Sequence, residues 1–317
     1  MKTLVGKIIL LILPFACLFP VLEYRLSQVE HNLLEKRAYL EAQLGEIEVL
    51  STGSSHGNAL NPALFSRKGF TLSNPAQDLY YDARLVDKYL ERMPKLRLVI
   101  MPISPFAYEY QQDHSDAWMS GAAYFILWGI PPQHRDMLLH IQFFSYTAMY
   151  GWKAVLEYLG NGFVDTSGPE MDASGWRHAS RGSMQDTPEE RELAMMHIRG
   201  QESVLSVKAI PANVKLLSEL IQKCQSRGIQ VVLITTPVFR TYSDYLNPEQ
   251  VARWLETSET ISQQYNVPFF NYLKDARFDH EDFSNRDHLN AHGVEKFSTI
   301  IDEEIIQKYF PNTSEKP

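Results

Sequence analysis

The sequence predicts an α/β protein with a doubly wound parallel sheet. Two observations carry this. Strand-like and helix-like segments alternate along most of the chain, as they do where helices cross over between parallel strands. The strand-like segments are also apolar almost throughout, as strands covered on both faces must be. The first element stands apart from that rhythm. In "MKTLVGKIILLILPFACLFPVLEYR", Lys2 and Lys7 precede an apolar run from Ile8 to Leu22, shorter than the roughly 20 residues a full span takes and longer than many signal-peptide cores. We read residues 1–24 as a membrane anchor or signal segment, with the uncleaved anchor preferred because no small-x-small cleavage site follows. The lysines would then lie in the cytoplasm and everything after Leu22 outside it. A buried core helix is the weaker reading, since Pro14 and Pro20 would interrupt it.

Residues 25–46 place Leu26, Val29, Leu33, Tyr39, Leu40 and Leu44 at mostly helical spacing between charges, which predicts an amphipathic stalk helix. From 47 to 310 the pattern is that of one α/β domain. "IEVLST" is a first strand and "FTLSN" a second. "PAQDLYYDARLVDKYLERMP" is a helix ended by Pro94, and "LRLVIMPIS" a buried strand. Residues 105–210, aromatic early and polar later, break the rhythm and read as an insertion of helices and long loops. It then resumes with the helix "PANVKLLSELIQKCQSRG", the strand "IQVVLITTPV", the helix "NPEQVARWLETSETISQQYN", the strand "VPFFNY" and a closing helix from "NAHG" onward. Residues 311–317 are a tail.

Composition narrows the functional classes. The 317 residues carry a formal net charge of -8 with basic residues scattered, so nothing marks a phosphate-binding face and nucleic acid is not an expected partner. Cys17 and Cys224 can frame neither a disulfide scaffold nor a metal site. His288 and His292 stand four apart, but no acidic partner motif accompanies them, so we assign no metal and no cofactor.

Chemistry is expected outside the carboxyl ends of the strands, and "GSSHG" (53–57) lies at such an end. A serine hydroxyl needs a base to take its proton and a group to orient that base. "DHEDFSNRDHLNAHG" supplies His288 on the loop before the last helix, with Asp287 beside it and Asp282 and Asp279 close by. By pattern alone, Ser54 and Ser55 could equally cap a turn and His288 could sit in a helix cap with Asn290. The aromatics Trp118, Tyr124, Phe125, Trp128, Phe143, Phe144, Tyr146 and Trp152 read as core before sugar platforms or a membrane face. Trp176 and Arg177, in the polar "SGWRHAS", read as a substrate loop.

"TGSSHG" after the first strand, "LSNPAQDLYYD" after the second, "IMPISPF" after the third and "NRDHLNAHG" before the last helix resemble, in that order, the blocks of the SGNH (GDSL-like) hydrolase superfamily. The closer likeness is to its membrane-anchored, extracytoplasmic branch associated with bacterial polysaccharide O-acetylation. It covers roughly 45–110 and 210–310 and leaves the insertion uncovered. The resemblance implies a flavodoxin-like three-layer fold with Ser55 as nucleophile and His288 as base. The superfamily's Asp, three residues before the His, falls on Asn285. The orienting group is therefore open between Asp287, Asp282 or Asp279, Asn285 and a backbone carbonyl. Oxyanion candidates are the Ser55 N–H and Asn74. Ser104 stands where the superfamily often has an Asn. His56 is expected to be structural or to face substrate. The implied function is acyl transfer to, or ester hydrolysis on, an extracytoplasmic glycan at a bacterial inner membrane, with a multi-pass acyl-delivering membrane protein as a partner candidate. The competing expectations are a non-catalytic polysaccharide-binding or assembly factor and a small-ester or lipid esterase.

Overall fold

A computed structural model describes residues 2–29, 31–163 and 170–310 of the protein; the predicted tail at 311–317 lies outside them. The chain divides into two compact units, 1–35 with 117–168, and 36–116 with 169–317. The predicted organisation had 105–210 as one insertion in one domain; here 117–168 group with the N-terminal segment, and 105–116 and 169–210 with the α/β unit.

In the first unit, α1 (Lys2–Ser27) is followed by α2 (Asn32–Gln43), which passes into the second unit at Lys36. The predicted stalk is thus broken between 27 and 32. α1 runs through Pro14 and Pro20 without ending, contrary to expectation: each proline removes one backbone bond from a helix that continues on both sides. Among the described residues no helix is long and apolar enough to cross a membrane. α1 packs on the second-half helix of this unit through Leu26 and Val29 against Val155 and Tyr158. The Glu23 carboxylate also accepts from Ser145 Oγ (2.8 Å), Tyr146 N (2.7 Å) and Thr147 N (3.0 Å), donors at that helix's N-terminus that would otherwise be orphaned. The predicted aromatic core is partly realised. Tyr124, Trp128 and Phe143 are buried, whereas Phe144 and Trp152 are 66% and 68% exposed.

The second unit holds five parallel strands, β1 (Val49–Ser51), β2 (Gly69–Thr71), β3 (Leu98–Pro102), β4 (Gln230–Thr235) and β5 (Phe269–Asn271), in the order β2-β1-β3-β4-β5. The doubly wound sheet the sequence predicted is therefore present, all five strands at their predicted places. α3 (Leu79–Tyr89) follows β2. The insertion carries α4 (Ser120–Trp128) and α5 (Tyr146–Asn161) in the first unit and α6 (Pro188–Glu202) in the second. α7 (Ile210–Gln225), the single turn α8 (Arg240–Ser243), α9 (Pro248–Tyr265) and α10 (Ala291–Ile301) complete the order. Side chains alternate across the strands. Val49, Leu98, Ile100, Val232 and Ile234 share one core with Val294, Phe297 and Ile301 of α10. α7 packs beside α3 and α9 on the other face. Lys36 of α2 is buried and donates to the Ser73 carbonyl, in the loop after β2.

The strand order puts the ends of β1 and β3 at the middle of the carboxyl edge, where chain reversal leaves a crevice. Phe297, fully buried between α10 and the sheet, holds the helix that follows His288. Phe297→Ala is expected to lower unfolding free energy by about 3–5 kcal/mol, read from urea denaturation midpoints; a loss under about 1 kcal/mol would mean that α10 is not packed as described.

Candidate active site

After β1 the backbone turns through Gly53 (φ +113°) into a 3-10 turn, Ser55–Ala59. The turn is bound at several points. Gly53 N donates to Asp82 Oδ1 (2.7 Å) and its carbonyl accepts from Asn74 N (3.1 Å). Ser54 caps the turn, its Oγ accepting from His56 N (3.3 Å). At Gly57 a Cβ would press on the Thr52 carbonyl oxygen and stand 2.6 Å from Ser73 Cβ. The two glycines of "GSSHG" thus have separate causes. Gly53 supplies a conformation L side chains rarely adopt, and Gly57 supplies space for the strand end. Ser54 does the capping, which leaves Ser55 to project.

Ser55 Oγ lies 2.8 Å from His288 Nε2. His288 sits on the loop leading to α10, whose N-cap is Asn290, accepting from Gly293 N at 2.9 Å. His288 Nδ1 is 3.0 Å from Asp287 Oδ1 and 3.0 Å from Asn285 Oδ1. Nδ1 therefore faces two acceptor oxygens, hydrogen-bonded to Asn285 Oδ1 and ion-paired with the Asp287 carboxylate, and Nε2 is left to accept the serine proton. Adjacent side chains seldom converge, yet Asp287 reaches its neighbour for a visible reason. Asn285 Oδ1 accepts from both Asp287 N (3.1 Å) and His288 N (2.9 Å), folding the chain into a turn that turns both side chains the same way.

Asp287 is 5% exposed, and its second oxygen faces two more imidazoles, His197 Nε2 at 3.0 Å and His56 Nε2 at 3.5 Å. Burial alone works to raise the Asp287 carboxyl; the hydrogen bonds from His197, His288 and His56 outweigh it and hold the group well below the usual carboxylate range. Burial pushes His56 down, against the pull of Asp287, so the neutral form is favoured there. His56 is buried edge-on against His288 and Phe106. It supports the cluster from within and does not present the substrate-facing ring the sequence allowed.

Among the described residues, His56, Asp287 and His288 form the one group whose ligand atoms fall within 4.8 Å of one another. Those atoms are engaged with each other and with Ser55 and His197. Asp282 does not orient His288. Its carboxylate accepts from Asp279 N (2.9 Å) and Lys296 Nζ (2.8 Å), closing a capping box on the turn His280–Asp282, which also occupies Asp279. His292 turns to Asp282 and away from His288, so the two do not converge.

A cavity of about 220 Å³ opens on Ser55 and His288, lined also by Asn58, Asn74, Arg177 and Asn285. Asn74 is thus beside the nucleophile as expected. Ser104 is not: it is buried with Gln77, Asp78 and Asp82 around a small cavity on the far side of Ser54. Trp176, expected to be exposed, is buried at 8% and donates Nε1 to the Asn58 carbonyl (2.9 Å). Asn58 also exchanges side-chain bonds with the Arg177 backbone, so the loop is pinned to the Ser55 turn, and Arg177, with the residues 178–180 that follow it, reaches the cavity while Trp176 does not. A larger cavity of about 630 Å³ lies along Asp186, Phe239, Arg240, Asp244 and Lys274. It holds no nucleophile and base in contact, and its charges neutralise one another, Asp186 with Arg191 and Arg240, Asp244 with Lys274. The Ser55–His288 contact belongs to the smaller cavity.

His197 was not singled out from the sequence. It lies on a polar helix ninety positions from its partner, and only its spacing from Glu190 and Gln201 along one helical face marks it.

Two acids lie beneath the turn. Burial raises Asp82 to about 7 despite bonds from Gln77 and Gly53 N–H, and raises Asp78, the N-cap of α3, to about 6. Asp82 has a folded value above its ordinary 3.8, so its contribution to stability is present below about pH 4 and is lost as pH rises through about 7. Asp82→Asn keeps an oxygen for Gly53 N and Gln77 Nε2, so it should be more stable than wild type at pH 8 with the difference vanishing at pH 4. Thermal midpoints at the two pH values test this; a variant less stable at pH 8 would refute it. Gly57→Ala should cost about 1–3 kcal/mol through the overpacked strand end and lower the yield of folded protein, read by the same melts.

No protein-family model and no curated protein matches the chain. Among solved structures it is similar to a putative acylhydrolase from Bacteroides fragilis, at 11% identity over 88% of this chain and 99% of that one with a TM-score of 0.43. It is also similar to a GDSL-like lipase from Bacteroides thetaiotaomicron, at 9% identity over 87% and 99% with a TM-score of 0.41. A third is an acetyl xylan esterase, at 11% identity over 82% and 100% with a TM-score of 0.37. At this distance these are likenesses of outline. The reading of the site rests on the geometry of Ser55, His288 and Asp287.

Proposed function

We propose that the protein is a serine acyl-transfer enzyme working through an acyl-Ser55 intermediate. The observation that carries this is the Ser55–His288 hydrogen bond, with Asp287 ion-paired to the far side of the imidazole, opening on a cavity. In the first half-reaction His288 Nε2 takes the Ser55 proton as Oγ attacks the ester carbonyl. The tetrahedral oxyanion is met by the Ser55 N–H and Asn74, and the proton passes to the departing alcohol oxygen. In the second half the acceptor hydroxyl gives its proton to His288 and attacks the acyl carbon, and His288 returns that proton to Ser55 Oγ as the acyl–Oγ bond breaks. The imidazolium in each half is stabilised by Asp287. A sugar hydroxyl as acceptor makes the enzyme an O-acetyltransferase; water makes it an esterase.

The substrate class we propose is an O-acylated glycan. The cavity presents amide, hydroxyl and guanidinium groups from Asn58, Asn74, Ser180, Ser284 and Arg177, a lining suited to a sugar more than to a long lipid chain. The engaged Asp287 speaks against a non-catalytic binding or assembly factor.

Attachment to a bacterial inner membrane, with the enzyme domain outside the cytoplasm and an acyl-delivering membrane protein as partner, is part of the same proposal. Its support is apolar surface in the first unit. Leu10, Leu13, Leu18, Phe19 and Val21 of α1 are exposed, as are Trp152, Leu156 and Leu159, which share one face of α5.

With the full-length chain, hydrolysis of a chromogenic acetate ester should fall by at least about 10³-fold in Ser55→Ala and in His288→Ala, and by up to about 10⁴-fold in kcat for Asp287→Asn. Asn285→Ala, which removes the acceptor that folds the Asp287–His288 loop and bonds His288 Nδ1, should lose activity as well. Equal inertness of all these folded proteins would refute the enzyme reading. Flotation with phospholipid vesicles tests attachment: the wild type should float, and a Trp152→Glu, Leu156→Glu variant should float less.

A further inference from the structure

The Asp287 carboxylate is buried, yet it is carried by the residue next to the histidine it orients. A carboxyl group turns in a broad, two-fold torsional well, so a 3.0 Å ion pair with His288 Nδ1, whose hydrogen bond is shared with Asn285 Oδ1, does not fix it. Its second oxygen must also find donors, since a buried charge without them costs several kcal/mol. That oxygen is met by His197 Nε2 at 3.0 Å, with His56 Nε2 farther away at 3.5 Å.

α6 brings His197 there by a docked face. Glu190, Ala194, His197, Ile198 and Gln201 fall on one side of the helix. Glu190 forms a two-pronged pair with Arg286 (2.9 and 3.3 Å), the residue just before Asp287. Gln201 Oε1 accepts from Tyr242 OH at 2.6 Å, and Ala194 and Ile198 are buried between them. The helix is thereby held at both ends of this face against the Asp287–His288 loop and the turn after β4. The groups facing His197 are Asp287, His56 and His288, the Glu190–Arg286 pair, and the neutral Tyr242 and Gln201.

We infer that His197 is a positioning residue for the acyl transfer proposed above: by donating from Nε2 to Asp287 Oδ2 it holds Oδ1 on His288 Nδ1 and so fixes the tautomer of the base. His197 touches neither Ser55 nor the acyl group. The acid that Asn285 does not supply at its usual place is supplied at 287, where the Asn285 turn brings it and the His197 hydrogen bond holds its carboxylate. The inference rests on the acyl-transfer reading for its consequence, and on geometry alone for the hydrogen bond.

The test is made on the full-length chain with His197→Ala, His197→Asn and His197→Gln. The glutamine amide can reach where Nε2 lies; the asparagine amide is too short. With ¹⁵N-histidine labelling, the low-field proton on His288 Nδ1, identified by its loss in His288→Ala, is expected in wild type and in His197→Gln, and lost or moved upfield in the other two. Turnover of the acetate ester should follow the same division, with kcat down about 10–100-fold, the range for a partner that orients a ligating histidine, and KM unchanged. If the His288 Nδ1 proton and kcat are the same in all three folded variants, the inference is overturned. If wild type shows no turnover but the proton follows the division, the positioning role stands and the proposed reaction falls. If His197→Ala does not fold, the asparagine and glutamine variants decide the matter by the same resonance.

Discussion

One buried negative charge organises the carboxyl edge of this protein's sheet. The carboxylate of Asp287 is almost wholly removed from water, and in a low-dielectric setting it is tolerable only if it is paired and hydrogen-bonded. Its three imidazole neighbours come from the end of the first strand, from a helix of the insertion and from the loop before the last helix. Those segments must therefore be folded together before the charge is satisfied. The dependence also runs the other way: a satisfied Asp287 presents one oxygen to His288 Nδ1, and this leaves Nε2 for Ser55.

The sheet makes this meeting possible. With β1 between β2 and β3, the nucleophile turn emerges at the middle of the carboxyl edge, and β5 leads into the loop that carries His288. The turn itself is tied from below by Asp82 on Gly53 N–H and from the side by the Asn74–Gly53 backbone bond. Beneath Ser55 the structure accepts two raised acids in exchange for a fixed backbone. Beside it, Trp176 buried against the Asn58 carbonyl fixes the loop that offers Arg177 to the cavity. Positioning is paid for in buried polar groups on every side of the serine.

The first unit follows a different logic. Its interior is small, Leu26 and Val29 against Val155 and Tyr158, with Glu23 satisfying the start of α5. Much of its apolar character points outward, on α1 and on the Trp152–Leu156–Leu159 face. A helix whose inner face packs and whose outer face is also apolar is suited to a non-aqueous neighbour. That is the physical ground on which the membrane proposal stands.

Local chemistry was enough to determine much of this from the sequence. Apolar runs bounded by turns located all five strands, and the glycines of "GSSHG" marked a strand end that needs an unusual conformation and close approach. Ser55 and His288 stood out only through the resemblance of four blocks in order, since by pattern alone the serines and the histidine could equally have capped turns. What lay beyond reach was set by contacts between distant positions. The choice of Asp287 over Asp282 turned on an Asn285 side chain that folds the loop and a Lys296 that claims the other acid. Trp176 was misjudged because a polar neighbourhood in sequence became a packed one in space, and Ser104 because its strand end faces the acids under the turn. His197 had no local signal strong enough to stand out. The division of the insertion, and the passage of α1 through two prolines, likewise depend on packing that no window of sequence contains. Periodicity and turn chemistry act within a few residues and so can be read from the chain; which carboxylate is buried, and which imidazoles reach it, is decided only when segments far apart in sequence are brought within 3 Å.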